Sequence, residues 1–194
     1  MEDPGLGDWR LLLRRLEATF RAGSLAEAAA FVQQVAAETE ADLDLRPPGL
    51  VRVVLPAADV GSAEAISRLA AGAGLASEPL AAMATEVAID AMDIPAVLPF
   101  WRAVLGYVDD GEDAIADPLR IGPTYWFQQM DERRPQRNRI HLDVTVPHDV
   151  AGARIAAALA AGGRLVSDRA AKAFWILADP EGNEACICTC QDRG

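Results

Sequence analysis

The chain has very few of the residues that build disulfide frameworks or imidazole chemistry. Its 194 residues include only three cysteines, Cys186, Cys188 and Cys190, and only two histidines, His141 and His148. Three closely spaced cysteines cannot form a disulfide framework, which is typical of a reducing compartment. Because no histidine precedes His141, the first two thirds of the chain cannot use imidazole for proton transfer.

Basic residues are also scarce relative to acidic ones. The chain has 18 Lys and Arg against 29 Asp and Glu, a formal net charge of -11 that repels phosphate backbones. The one candidate basic patch comprises Arg133, Arg134, Arg137 and Arg139. It lies in a Pro-containing polar run, which favours a solvated connector. We therefore expect no nucleic-acid partner.

Long apolar runs are missing as well. No run approaches the roughly 20 apolar residues that a membrane span needs. Residues 1–8 have neither the basic nor the apolar region of a secretory signal. We expect a cytoplasmic protein without membrane association, and the high Ala, Arg and Asp usage favours a bacterial origin. A hydrophobic content of 51% is enough for two small domains with buried cores.

The first part of the chain, residues 1–76, has the pattern of a small α/β domain. The signals are partly alternating apolar positions, a possible helix cap and a β-rich region around a Pro-Pro-Gly bend. In order, they predict a strand region at 9–20, a helix that begins at Ser24, strands within 43–55 and a second helix at 62–71. We place a linker at 77–84, where small residues and Pro79 follow no clear period.

Over residues 8–76 this order resembles the pterin-4a-carbinolamine dehydratases. The resemblance is carried by Trp9, the strand-and-helix pattern of 20–35, and Asp42-Leu43-Asp44-Leu45 before Val51-Arg52-Val53. That family places a His-His-Pro motif between its long helix and the next strand, where this chain has Glu38-Thr39-Glu40-Ala41-Asp42. The acidic residues here are typical of a solvated helix end. The resemblance therefore implies a degenerate domain without dehydratase activity that serves as a scaffold, an oligomerisation surface or a relic pocket.

The second part repeats one pattern, at 85–131 and again at 138–190. Each copy has a short strand, an amphipathic helix and two or three further strands, which indicates an internal repeat. The first helix, 95–105, ends at Gly106, and the second, 150–161, ends before Gly162-Gly163. We therefore predict an α+β protein in which a small α/β-sandwich domain precedes two βαβββ modules at 85–194.

Three motifs of the second part resemble the glyoxalase/bleomycin-resistance/dioxygenase group, the vicinal-oxygen-chelate superfamily, at residues 85–190. They are Phe100-Trp101-Arg102-Ala103-Val104-Leu105-Gly106-Tyr107, Arg139-Ile140-His141-Leu142-Asp143-Val144 and Asp179-Pro180-Glu181-Gly182-Asn183. The last predicts a tight turn in which Gly182 takes a positive φ. The resemblance implies that two modules enclose one small-molecule cavity, often with a divalent metal. Members related to either part commonly form dimers, so we expect a homodimer.

The resemblance also implies where a site would lie. The family's metal positions fall at Glu86, Gln128 and His141, and its usual fourth ligand, a glutamate, is replaced by Cys186. Strand alternation places Arg139, His141, Asp143 and Thr145 on the polar face of their strand, opposite an aliphatic face. The predicted pocket comprises Trp101, Trp126, Gln128, Arg139, Asp143, Trp175 and Cys186.

Several functions remain open. A pocket that binds or sequesters a small organic ligand without a metal is favoured, because both parts depart from catalytic patterns. The alternative is a metal-dependent lyase, isomerase or dioxygenase-type enzyme with Glu86 as base and His141 as ligand or acid, and with Zn, Mn, Fe or Ni as the ion. A third is a purely structural or regulatory protein. His141 could also be a histidine hydrogen-bonded to Asp143 or Glu86, and the cysteines could be small apolar pocket residues.

Overall fold

The structure, a computed structural model, describes residues 6–132 and 141–192. The predicted basic patch at 133–139 lies outside the described residues. By their internal contacts the residues form two compact units, Met1–Ala84 and Thr85–Gly194. Both units mix helices with sheets, so the α+β prediction is confirmed. No helix among the described residues is long and apolar enough to cross a membrane.

The first unit is an antiparallel sheet with two helices. Its strands run in the order β1-β2-β4-β3, and β5 pairs with β2 beside the end of β1. Helix α1 begins where expected, because the Ser24 side chain accepts a hydrogen bond from the Glu27 amide. The elements are β1 Trp9–Leu12, β2 Arg15–Arg21, α1 Leu25–Glu38, β3 Asp42–Arg46, β4 Leu50–Pro56, α2 Val60–Gly72 and β5 Ala76–Ser77.

Three aromatic rings pack together in the core of the first unit. The ring of Phe20 packs edge-on against Phe31 at 5.5 Å and against Trp9 at 6.5 Å between centroids, and all three are at most 1% exposed. After β5, the Glu78 amide donates to the Thr19 carbonyl at 2.8 Å, and the Glu78 carboxylate pairs with Arg21. The beginning of the segment 77–84 is therefore attached to the first sheet.

The second unit consists of two βαβββ modules, which confirms the internal repeat. Their sheets have the strand orders β6-β9-β8-β7 and β10-β13-β12-β11, and in each module the first strand runs parallel to the last. The first module comprises β6 Glu86–Ala91, α3 Ile94–Leu105, β7 Val108–Asp109, β8 Ala114–Ala116 and β9 Thr124–Gln129. The second comprises β10 Leu142–Thr145, α4 His148–Ala160, β11 Arg164–Ser167, β12 Phe174–Ala178 and β13 Glu184–Cys188.

The two modules share one core through their helices. Helix α3 ends at Gly106, whose φ of 74° is the left-handed conformation that a helix stop requires. After α4, a Cβ on Gly163 would lie 2.4 Å from the Phe100 ring, so only glycine permits this approach between the modules. Phe100 and Phe127 from the first module meet Ile187 from the second in the same buried cluster. Within the described part of the second unit, α3 and α4 pack on one face of the sheets, and the opposite face is here called the open face.

Candidate functional site

The open face of the second sheet carries rows of side chains fixed by strand register. Directly paired residues share a face, so Asp143 on β10, Cys186 on β13 and Ile176 on β12 form one row. Thr145, Cys188 and Phe174 form the next row. The alternating residues Leu142, Val144, Leu177 and Ile187 pack into the core on the helix side. The predicted division of β10 into a polar and an aliphatic face is therefore confirmed for its described residues.

Three side chains of this open face form a compact cluster, the 141/143/186 group. One nitrogen of His141, one carboxylate oxygen of Asp143 and Sγ of Cys186 all lie within 4.8 Å of one another. The Nε2 atom of His141 is 3.3 Å from Oδ1 of Asp143. The His141 and Asp143 side chains are 56% and 59% exposed, whereas Cys186 is only 6% exposed. The group therefore joins a buried thiol to two groups that solvent can reach.

The surroundings of Cys186 keep its thiol protonated. Burial is the main factor that raises the pKa of Cys186 to about 12, and the hydrogen bond to Asp143 and the nearby carboxylates act in the same direction. A thiol with such a pKa is almost entirely neutral at pH 7 and is a weak nucleophile. Cys186 is therefore a neutral thiol that lies beside the Asp143 carboxylate.

The 141/143/186 group can act in two chemically different ways. As it stands, the Asp143 carboxylate lies 3.3 Å from the imidazole and close to the Cys186 thiol, so the three polar groups can exchange hydrogen bonds. The same atoms are one nitrogen, one oxygen and one sulfur donor, which fit a divalent metal such as zinc. A bound cation would reverse the preference of the thiol for its proton.

The predicted site residues of the first module lie on the open face of the other sheet. Cross-strand pairing places Glu86 beside Thr124, Ala88 beside Trp126 and Asp90 beside Gln128. Glu86 and Gln128 are exposed and Trp126 is half-buried. Within the described part of the chain, Glu86 does not belong to the 141/143/186 group. Of the positions implied by the resemblance, the structure thus brings together His141 and Cys186, with Asp143 between them.

Two predicted pocket residues are core residues instead. Trp101 is 3% exposed in α3, and Trp175 packs against the shared core from β12. Trp175 lies on the helix side because it alternates with Phe174 and Ile176, which occupy the open face. The remaining predicted pocket residue, Arg139, lies outside the described residues.

The Asp-Pro-Glu-Gly-Asn turn has a role that the sequence did not indicate. Asp179 is fully buried, and its carboxylate accepts hydrogen bonds from the Trp101 indole at 3.0 Å, the Glu181 amide at 2.9 Å and the Asn183 amide and side chain at 2.8 Å each. The Glu181 carboxylate accepts from the amides of Met92 and Asp93, just before α3. Gly182 has the predicted positive φ, 100°. The turn therefore fastens the second module to the helix of the first.

The chain is similar to solved structures of other proteins, and three of these each have a TM-score of 0.44. A glyoxalase/bleomycin resistance protein/dioxygenase family enzyme from Burkholderia phytofirmans PsJN is 18% identical, over 54% of this chain and 95% of that one. A glyoxalase-related enzyme from Fulvimarina pelagi is 16% identical, over 55% and 87%. A fosfomycin resistance protein from Listeria monocytogenes, complexed with manganese(II) and 1S,2S-dihydroxypropylphosphonic acid, is 9% identical, over 55% and 89%.

Sequence comparison places the second unit in a family. Among curated proteins, none matches the chain. The profile of the glyoxalase-like domain matches residues 86–188, more than half of the chain and almost all of both βαβββ modules. The chain therefore belongs to the glyoxalase-like domain family.

Proposed function

We propose that the second unit binds a small organic molecule at the 141/143/186 group and does so without requiring a metal. The observation that carries the proposal is the close approach of the three side chains, which places a buried thiol beside an imidazole and a carboxylate that are both exposed. Such a centre can exchange hydrogen bonds with a ligand without first being charged or assembled.

The neighbouring residues indicate the shape of the ligand. Ile176 and Phe174 lie in the same rows as Asp143 and Thr145, and Phe174 is 36% exposed. Apolar surface beside a few convergent polar groups is the usual composition of a small-molecule site. We therefore propose a ligand with an apolar body and a polar end that bonds to Asp143 or His141.

The test is native mass spectrometry of protein purified without a metal-affinity tag. We expect an organic adduct that is retained under native conditions, lost on denaturation and reduced in Asp143→Asn. Asp149→Asn is the matched control, because Asp149 is an exposed carboxylate at the start of α4. An adduct of equal occupancy in Asp143→Asn and in the unmodified chain would overturn the assignment to this group.

A second candidate is a metal-dependent enzyme of the lyase, isomerase or dioxygenase type. It is favoured by the nitrogen, oxygen and sulfur donors that lie within 4.8 Å of one another. In this candidate His141 is a ligand or acid, and Glu86 is the base. Elemental analysis of the same untagged protein decides between the candidates, because a stoichiometric metal supports the enzyme and less than about a tenth of an equivalent supports the metal-free binder.

For the first unit we propose a degenerate pterin-carbinolamine-dehydratase-like domain that acts as a scaffold or assembly surface. We further propose that the protein is a homodimer and that it is a cytoplasmic protein of bacterial origin. Two features support this proposal. The unit has no histidine, and Glu38, Glu40 and Asp42, which lie where that family has its catalytic motif, are all exposed. Asp42 is also paired with Arg15 at 3.0 Å. Exposed carboxylates at a helix end have the surroundings of solvated residues.

A further inference from the structure

The outer edge of the first module's sheet carries exposed apolar and charged side chains that the proposed ligand site does not use. We propose that this edge, which is strand β7 with the loops at its two ends, forms the contact between two copies of the chain related by a two-fold axis. The inference rests on the proposed homodimer. It places the contact on the second unit and leaves the first unit the role of a scaffold.

The apolar part of this edge lies where β8 ends. Val108 of β7 pairs with Ala116, the last residue of β8, and the loop 117–122 follows directly. Val108, Leu119 and Ile121, here called the edge patch, are 51%, 76% and 68% exposed. Large aliphatic side chains that are grouped at one edge, instead of being scattered singly, mark a protein–protein contact.

The loop that carries two of these side chains is held in place by hydrogen bonds. The Asp117 carboxylate accepts from three amides of the loop, those of Leu119 at 2.9 Å, Ile121 at 3.1 Å and Gly122 at 2.9 Å. The Tyr107 hydroxyl packs against the same loop, because it occupies the space that a Cβ on Gly122 would take. A loop that is fixed before association loses little conformational entropy on binding, so the edge patch is preorganised.

The charges at the two ends of β7 are opposite in sign. Arg120 is exposed between the two aliphatic residues of the loop 117–122. At the other end of β7, the hairpin loop carries three exposed carboxylates, those of Asp110, Glu112 and Asp113. Among the residues that the structure describes, none of these four side chains belongs to an ion pair. Within one chain, β7 keeps the basic and the acidic groups apart.

An antiparallel arrangement of two β7 edges brings these charges together. The first residue of β7 in one copy then lies opposite the last residue in the other, because the two strands run in opposite directions. Arg120 of one copy thus lies beside the acidic loop 110–113 of the second copy, and the two-fold axis produces the same contact twice. A strand of two residues offers few backbone hydrogen bonds, so the edge patch and the two charge contacts supply the association.

The corresponding edge of the second module is less suited to such a contact. The register of β11 with β12 shifts between Leu165 and Ser167, and irregularities of this kind protect a sheet edge from pairing. Leu165 is nevertheless 45% exposed. It therefore provides a matched control, an exposed aliphatic residue at the other module's edge.

Sedimentation velocity of the intact chain over a range of protein concentrations tests the proposal. We expect a dimer whose dissociation constant rises at least about tenfold in Ile121→Asp, because the new carboxylate would be buried in an apolar contact. Leu165→Asp should leave the dissociation constant unchanged. Both positions are exposed, and circular dichroism confirms that each variant is folded.

Charge reversal tests the orientation of the two copies. Arg120→Glu should weaken the dimer, and so should the double variant Asp110→Lys, Glu112→Lys, because like charges then meet at both contacts. An equimolar mixture of the two variants should form a heterodimer, since one of its contacts has both charges reversed and the other keeps the original pair. Arg169→Glu is the control, because Arg169 is exposed outside the edge and the change of charge is the same.

Two results would overturn the proposal. The first is a dimer that neither Ile121→Asp nor Arg120→Glu weakens, because the contact would then lie elsewhere although the proposed homodimer would stand. The second is a mixture of the two charge variants that remains monomeric, because the edges would then not meet in antiparallel fashion. A monomer of the unmodified chain at micromolar concentration would overturn the homodimer and this inference together. None of these results bears on the ligand of the 141/143/186 group, which is tested by the organic adduct.

Discussion

Replacing Asp179 with asparagine should destabilise the second unit strongly, although the two side chains have the same shape. One carboxylate oxygen accepts from the amides of Glu181 and Asn183, and the other accepts from the Trp101 indole and the Asn183 side chain. In Asp179→Asn one of these oxygens becomes an NH₂ group, so at least two donors face another donor instead of an acceptor.

The size of the effect follows from the complete burial of Asp179. Each buried polar group left without a partner costs about 1–3 kcal/mol, so two lost acceptor contacts predict a loss of about 2–6 kcal/mol in the free energy of unfolding. Trp101→Phe removes the indole donor to the Asp179 carboxylate, so no unpaired indole remains when Asp179 is also replaced. The Trp101→Phe, Asp179→Asn double variant should therefore be about 1 kcal/mol more stable than the sum of the two single effects predicts.

Urea unfolding followed by circular dichroism measures these values. Asp168→Asn is the control, because Asp168 is exposed and lies outside the turn at 179–183. We expect the control to change the free energy of unfolding by less than about 0.5 kcal/mol. If Asp179→Asn behaves like Asp168→Asn, the hydrogen bonds of the turn do not hold the modules together and the reasoning fails.

Four further predictions concern the thiols, the glycines and the first unit. Alkylation of Cys186 should be far slower than that of Cys190 at pH 8, and equal alkylation rates in mass spectra would contradict this. The contribution of the raised Cys186 pKa to the free energy of unfolding should be constant below pH 9 and lost as the pH rises towards 12. Gly163→Ala should destabilise the second unit by about 1–3 kcal/mol, because the new methyl group would contact Phe100. Gly152→Ala should not destabilise it, because no atom lies near the new methyl group, and thermal melts compare the two variants. A pterin carbinolamine should be turned over no faster than its uncatalysed background, since imidazole catalysis typically contributes about 10²- to 10⁴-fold. Light scattering should give at least twice the 20.7 kDa of one chain, and a monomer at micromolar concentration would refute dimerisation.

Local signals in the sequence predicted the elements well. Ser24 caps α1 and Gly106 ends α3, because a side-chain acceptor and a positive φ are properties of single residues. The polar face of β10 was also predictable, since apolar and polar residues alternate there. These signals need no information about distant parts of the chain.

The site depended on long-range information that the sequence does not contain. Asp143 meets Cys186 because β10 and β13 pair in parallel with one particular register, and residues 43 positions apart give no local sign of it. In β12, Phe174 to Leu177 are all apolar, so the alternation could not indicate whether Trp175 faces the helix or the open face. Glu86, which was found by counting from family positions, lies on the first module's sheet as expected, and its role in a site stays a prediction.

The Glu181 carboxylate has a consequence for folding cooperativity. It accepts the Met92 and Asp93 amides at 2.7 to 3.0 Å, so a turn of the second module stabilises the positive end of the dipole of α3 in the first. A fragment that ended before the second module would lose this anion and would also expose the buried side of α3. The two βαβββ modules should therefore fold and unfold as one cooperative unit, with similar protection of α3 and β13 against hydrogen exchange, although each module has its own complete sheet.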